Sequence, residues 1–223
     1  MIPEGVIRKA LVSGASLLGF LGLVWLLLHR QTGPFDRSVS HLFVGLPSSV
    51  YLFFSILCRT GNAEIELPLL LYGGIRIYRR ASGEGSRRES DRAFLILWAV
   101  LLVLGTFLEH SLKGSLPAFS PGQPFQHDPL EDWAVFFPLH FHVHASFPSG
   151  HTFRALMILL FLRRFASRYL RFALLWAGGI MVGVVVLGWH FATDVLGSSL
   201  LVLAFSPFLL SASPAIASYH QKK

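Results

Sequence analysis

Long stretches without a charged residue constrain this chain more than any other feature. From Ala10 to Leu28 no side chain carries a charge, and Arg8-Lys9 and His29-Arg30 bracket the run. A helix needs about 20 mostly apolar residues to cross the hydrocarbon core of a bilayer. Ala93 to Leu112 is a second such run, broken only by Glu109 and His110, and Phe172 to Trp189 and Val195 to Leu210 are two more. Gly150 to Phe165 is shorter and carries Arg154 in its first turn. With 53% hydrophobic and 14% charged residues over 223 positions, one soluble core cannot hide this much apolar surface. Disorder, a disulfide scaffold (Cys58 is the one cysteine) and a soluble enzyme are excluded, and lipid is the solvent to assume. The Ala10 to Leu28 run is too long for a signal-peptide core and no small-x-small site follows it, so it is expected to be retained.

Ser38 to Tyr78 is ambiguous by hydropathy. Gly45, Pro47, Ser48 and Ser49 suit a broken or interfacial helix, whereas Leu67 to Ile75 is uncharged. The basic residues decide, because Lys and Arg concentrate in cytoplasmic loops. Arg76, Arg79, Arg80, Arg87, Arg88, Arg92, Arg163, Arg164, Arg168 and Arg171, with Arg8, Lys9, Lys222 and Lys223, are fourteen of the 19 basic residues. All of them share one side only if Ser38 to Tyr78 crosses once. The expectation is an all-α, six-span integral membrane bundle with short interfacial helices. It forms a single domain over residues 1–223, with spans near 10–28, 60–78, 93–112, 150–165, 172–189 and 191–210. The net charge of +7 then orients the bundle against anionic headgroups, and nucleic acid is not an expected partner.

The opposite face keeps Arg30, Arg37, Arg59, Lys113, Arg154 and every histidine but His220. Histidine serves acid-base and nucleophilic chemistry near neutral pH, so chemistry is expected there. Three clusters stand out on that face. Lys113 opens Lys-Gly-Ser-Leu-Pro-Ala-Phe-Ser-Pro, Pro148-Ser-Gly-His151 opens one span, and His190-Phe-Ala-Thr-Asp194 opens the last. Residues four apart share a helix face, so Asp194 can hold one ring nitrogen of His190 and leave the other free to attack. Ser149 and Gly150 begin a helix, whose unpaired N–H groups favour a phosphate. His151 can give a proton to a leaving oxygen, and Lys113 adds positive charge.

A lysine after a span, Pro-Ser-Gly-His and a downstream His-x-x-x-Asp together resemble the phosphatidic acid phosphatase type 2 superfamily. The motifs cover residues 113 to 194, and the span order extends the likeness over most of the chain. The resemblance implies a metal-independent, cofactor-free hydrolase of a membrane lipid phosphate or diphosphate. His190 would form a phosphohistidine with Asp194 orienting it, His151 would be the general acid, and Lys113, Ser149 and Gly150 would hold phosphate oxygens. The expected location is a bacterial cytoplasmic membrane, and the arginine count alone turns the site toward the periplasm. The oligomeric state is left open.

Two positions depart from the family pattern. Ser120 stands where the first motif has an arginine before Pro121, and Gly183-Val184 stand where the third has Ser-Arg. Two guanidiniums that would grip phosphate in bidentate fashion are absent. Arg154, three residues after His151, is expected to supply part of the missing clamp, because a charge in a lipid-embedded turn is costly unless it faces a polar cavity; the alternative is that it snorkels to the outer headgroups. The alternatives are a phosphotransferase of the sphingomyelin-synthase-like type, which also lacks that clamp, and an inactive lipid-binding relative. Lesser expectations concern the remaining polar residues. His140, His142 and His144 line a pocket rim or face headgroups rather than bind a metal, and Glu109 and His110, one turn before Lys113, mark an interfacial helix end in preference to supporting the site from behind it. Glu64 and Glu66 are interfacial or paired with Arg59, and Trp133 and Trp189 belong to an aromatic belt.

Overall fold

A computed structural model describes residues 4–80, 86–116, 120–122, 124–130 and 145–211. Among them are eight α-helices and no strand: α1 Glu4–Leu28, α2 Gly33–His41, α3 Ser48–Arg59, α4 Ala63–Arg80, α5 Ser86–Ser115, α6 Gly150–Phe165, α7 Leu170–Val186 and α8 Ala192–Ser211. Six of these fall where spans are expected. The ambiguous stretch resolves into α2 and α3, which are short, with the turn at Gly45 (φ +81°) between them, followed by α4. Four helical stretches are long and apolar enough to cross a membrane: Glu4–Leu28, Glu89–Ser115, Ser167–Val186 and Ala192–Leu210. α4 carries charge at both ends, and α6 has only 16 residues.

The helices bury an apolar core that includes Phe94, Phe147 and Phe153, and still turn many large apolar residues outward. α1 packs chiefly against α8, α3 against α7, and α6 lies between α7 and α8 with α5 beside it. α6 is thereby the central helix: Phe153, Ala155 and Met157 are buried within it. Gly105 of α5 leaves room for the Phe153 ring, where even a β-carbon would collide. The outer surface shows Leu18, Phe107, Phe172 and Leu175, the last 76% exposed. A soluble protein does not leave such a continuous apolar surface in water.

Helix direction separates the two ends of the bundle. The C-terminus of α5 and the N-termini of α4, α6 and α8 lie at one end. The arginine-rich termini (Arg76 and Arg79 of α4, Arg163 and Arg164 of α6) lie at the other. There the Arg164 guanidinium meets Asp91 at 2.5 Å and Ser90 at 3.1 Å, joining α6 to α5.

Asp36 ties α2 to the start of α8. Fully buried, it accepts hydrogen bonds from Thr193 N at 3.1 Å and Thr193 Oγ1 at 2.7 Å, serving in trans as a cap for α8. Burial lifts its carboxyl above the ordinary carboxylate range; the bonds from Thr193 oppose the rise and the charge on Asp194 adds to it. The folded protein therefore holds this proton more tightly than the unfolded chain. The group's contribution to stability falls as pH climbs from the unfolded value near 4 through the raised one. Asp36→Ala strands two buried donors and is expected to cost about 1–3 kcal/mol. Asp36→Asn keeps an acceptor and is expected to flatten the pH dependence. Thermal unfolding in detergent across pH reads both, and an Asp36→Ala protein as stable as wild type would contradict the capping role.

Candidate active site

The site is assembled where α7 stops. α7 closes in a Schellman motif, with Trp189 N donating to Val184 O at 2.9 Å and Gly188 N to Val185 O at 3.1 Å. Gly188 supplies the left-handed residue (φ +69°), and a β-carbon there would strike the Phe125 carbonyl. The loop containing Phe125 therefore lies directly on this turn, and His127 N bonds to Leu187 O at 3.0 Å. His190 follows immediately, its own N–H bonded to Val184 O at 3.0 Å. The turn thus presents the imidazole at the end of the bundle.

His190 Nδ1 lies 3.3 Å from Asp194 Oδ2, as the four-residue spacing predicts, and the same oxygen accepts the Phe191 N–H at 2.8 Å. Both residues are buried. A carboxylate on Nδ1 fixes the tautomer with its proton there, so Nε2 carries the lone pair.

α6 starts beside it. Ser149 is extended (φ −74°, ψ 111°), and its Oγ caps the helix by accepting from Thr152 N at 3.3 Å. Ser149 N donates to Asp194 O at 3.2 Å, and Ser149 O accepts from Ser198 Oγ at 2.7 Å, so the two helix starts are stitched together. His151, in the first turn, faces His190 with ring centroids 6.3 Å apart, near enough for one phosphoryl group to touch both rings. Trp189 packs on His151 at 5.4 Å and lies 5.7 Å under the Arg59 guanidinium. Trp189 is therefore a wall of this site rather than part of an aromatic belt.

The cations arrive already partnered. Lys113 Nζ is 2.7 Å from Glu109 Oε1. Glu109 in turn lies on the α-carbon of Gly150: a β-carbon there would be 2.2 Å from Oε1. Arg154 Nε is 3.3 Å from Glu66 Oε2, an ion pair without hydrogen-bond alignment, and its Nη1 is 3.9 Å from Glu109 Oε2. Arg154 Nη2 donates to Gly61 O at 3.4 Å. Lys113, Ser149, Gly150, His151, Arg154, His190 and Asp194 are thus brought to one end of the bundle. Lys113 and Arg154 are joined to each other through Glu109 and held against α4 through Glu66.

Two expectations change here. Glu66 pairs with Arg154, not Arg59; Arg59 instead binds Asp128 at 3.2 Å and Ser55 Oγ at 2.5 Å. Burial opposes ionisation of Asp128, but bonds from Ser55, Arg59 and the Leu130 N–H outweigh it and hold the carboxyl below its usual range. Glu109 is 3% exposed and central to the charge cluster, not an interfacial helix end. Arg154 itself carried the missed signal, since a cation at membrane depth implies a carboxylate nearby. Asn62, whose Oδ1 is 3.0 Å from His151 Nε2, has no comparable signal in the sequence.

The two motif positions without arginine differ in kind. Val184 is fully buried in an apolar cluster with Cys58, Ile180 and Leu187. Ser120 is exposed and lines a cavity of about 260 Å³ with Asp128, Gly188 and Trp189. Among the described residues no three His, Cys, Asp or Glu side chains gather to hold a metal ion. Glu64's side chain, Trp133, His140, His142 and His144 lie outside the described residues.

The family model of the PAP2 superfamily matches residues 93–216. Among solved structures, the chain is similar to a transmembrane PAP2-type phosphatidylglycerolphosphate phosphatase from Bacillus subtilis. The TM-score is 0.60 at 19% identity, over 95% of this chain and 98% of that one. No curated protein sequence matches.

Proposed function

This chain belongs to the PAP2 superfamily and is an integral membrane protein, and on that premise we propose that it is a membrane lipid phosphatase acting through a phosphohistidine. The observation that carries the proposal is the pairing of His190 with Asp194 at 3.3 Å, opposite His151, at the start of α6. His190 Nε2 attacks phosphorus, and the bond to the lipid or phosphate oxygen breaks. His151 gives that oxygen its proton. Water then loses a proton to His151 and attacks the phosphohistidine, releasing phosphate and regenerating His190. Ser149 and Gly150 offer the α6 N-terminus to the phosphoryl oxygens, and Lys113 supplies charge.

Arg154 contributes to the same pocket through its field. Glu66, Glu109 and Gly61 already occupy its fork, so it is not a free bidentate clamp. The proposed topology has six crossings forming one domain, with the arginine-rich ends inside and the site outside, facing the periplasm of a bacterial inner membrane. The opposite directions of the site-bearing and arginine-bearing helix ends support it.

A second reading, phosphotransfer to an acceptor alcohol, is favoured by the lack of a cation at either motif position: Val184 is core and Ser120 is rim. Purified protein in mixed micelles with labelled phosphatidate, phosphatidylglycerol phosphate and undecaprenyl diphosphate separates the two. Release of inorganic phosphate supports the hydrolase. A labelled new lipid, with no free phosphate, supports the transferase.

A further inference from the structure

The family match begins at residue 93, yet one hydrogen bond to the proposed general acid comes from well upstream of it. Asn62 sits in the corner between α3 and α4, and its Oδ1 lies 3.0 Å from His151 Nε2. The corner is not loose. Gly61 N bonds to Cys58 O at 2.9 Å, Asn62 N to Arg59 O at 3.1 Å, and Glu66 N to Asn62 O at 3.0 Å. Arg154, one turn after His151, holds the same corner from α6 through Gly61 O and Glu66. Gly61 also faces the Ile180 side chain so closely that a β-carbon would stand 2.8 Å from it. Asn62 is therefore fixed by its own backbone and by the residue that shares the helix face of His151.

We propose that Asn62 is the positioning residue of His151, fixing which ring nitrogen carries the exchanging proton. An amide oxygen accepts, so Nε2 keeps its proton toward Asn62, and Nδ1 is left to take a proton from water and return one to the leaving oxygen. His190 and His151 then divide their tasks by opposite tautomers: the nucleophile is held at Nδ1 by Asp194, the acid-base at Nε2 by Asn62. A neutral amide suits this second task. It orients the ring without the standing charge that Asp194 gives the nucleophile, so His151 can cycle between its two protonation states. The inference rests on His151 being the general acid of the proposed phosphatase.

Among the described residues the charged and titratable groups facing His151 are few. They are Arg154 on its own helix, Lys113 and Glu109 on α5, Glu66 on α4, His190 before α8 with Asp194 behind it, and Arg59 on α3 across Trp189. None of them changes in an Asn62 substitution.

The test compares Asn62→Ala, Asn62→Asp and His151→Ala with wild type, each in detergent at matched thermal stability. Phosphate release from dioctanoyl phosphatidate needs a protonated leaving oxygen; the burst of p-nitrophenol from p-nitrophenyl phosphate hardly does. Asn62→Ala is expected to lose about 10- to 100-fold in kcat on phosphatidate, part of the ~10²–10⁴ that acid-base catalysis supplies, with KM changed less than about twofold. Its p-nitrophenol burst should stay within about threefold of wild type. Asn62→Asp restores an acceptor and adds a negative charge, so activity should partly return with the alkaline limb of the pH profile moved upward. Equal losses on both substrates with an unmoved pH profile, or wild-type behaviour of both variants, overturn the positioning role while His151→Ala remains inactive. A fully active His151→Ala, or a wild type that releases phosphate from neither substrate, overturns the phosphatase reading and this inference together.

Discussion

His190→Ala is expected to abolish turnover. Removing the nucleophile of a covalent mechanism costs about 10³-fold or more, because nothing else in the site can form the intermediate. With radiolabelled lipid phosphate, wild type should yield an acid-labile, base-stable phosphoprotein, and His190→Ala should yield none. Asp194→Asn keeps the hydrogen bond to the ring but reverses its polarity for one amide orientation and removes the charge that stabilises the imidazolium. A loss of about 10²–10⁴-fold is expected, on the pattern of other carboxylate–histidine pairs. Asp194 also accepts from Phe191 N, so its replacement is expected to loosen the start of α8 as well. A His190→Ala protein that retains a tenth of wild-type phosphate release sinks the covalent mechanism.

The second large effect concerns stability before catalysis. Arg154→Met leaves Glu66 and Glu109 facing each other across a site where each is 3% exposed. Breaking one partner out of a buried ionic cluster costs about 3–5 kcal/mol, more than the pair itself contributes, since Glu66 is left desolvated without its counter-charge while Glu109 keeps only Lys113. A marked fall in the unfolding temperature in detergent is therefore expected for Arg154→Met. Pairing it with Glu66→Gln removes the stranded charge and should recover a good part of the loss. The kinetic readout separates the two tasks of this arginine. A pure phosphate clamp would raise KM and leave unfolding untouched, whereas the arrangement with Glu66 and Gly61 predicts that unfolding responds first. An Arg154→Met protein with wild-type stability and a raised KM would restore the clamp.

Much of the site was legible in the sequence because its parts are local. His190 and Asp194 are four residues apart and do meet, but His190 precedes α8, so the turn that closes α7 sets their contact together with the spacing. Ser149 before Gly150 is a capping pattern, and the structure shows the cap made. The end of α7 was not legible: the apolar run reaches Trp189, whereas the helix stops at Val186 with Gly188 in the left-handed region. What else escaped the reading was long-range. Glu66 and Glu109 lie on different helices from Arg154, and their convergence depends on how α4 and α5 lean on α6. Arg59 finds Asp128, remote in sequence, because the loop after α5 folds back over the end of α7. Trp189 has the composition of a belt residue, yet the Schellman turn swings it between His151 and Arg59.

The sequence by itself determined the solvent, most of the helices and the candidate pair His190 and Asp194. Those follow from apolar run length, from the distribution of arginines and from short intervals along the chain. Only the tertiary structure decided how the remaining charges are spent. Lys113 and Arg154 read, in one dimension, as two free cations waiting for phosphate. Packed in three, each meets a carboxylate, because a low-dielectric interior does not leave a cation unpaired when an acid can be brought within 4 Å. The proposed phosphate site is built on a balanced cluster, and the balance exists only once α4, α5 and α6 have met.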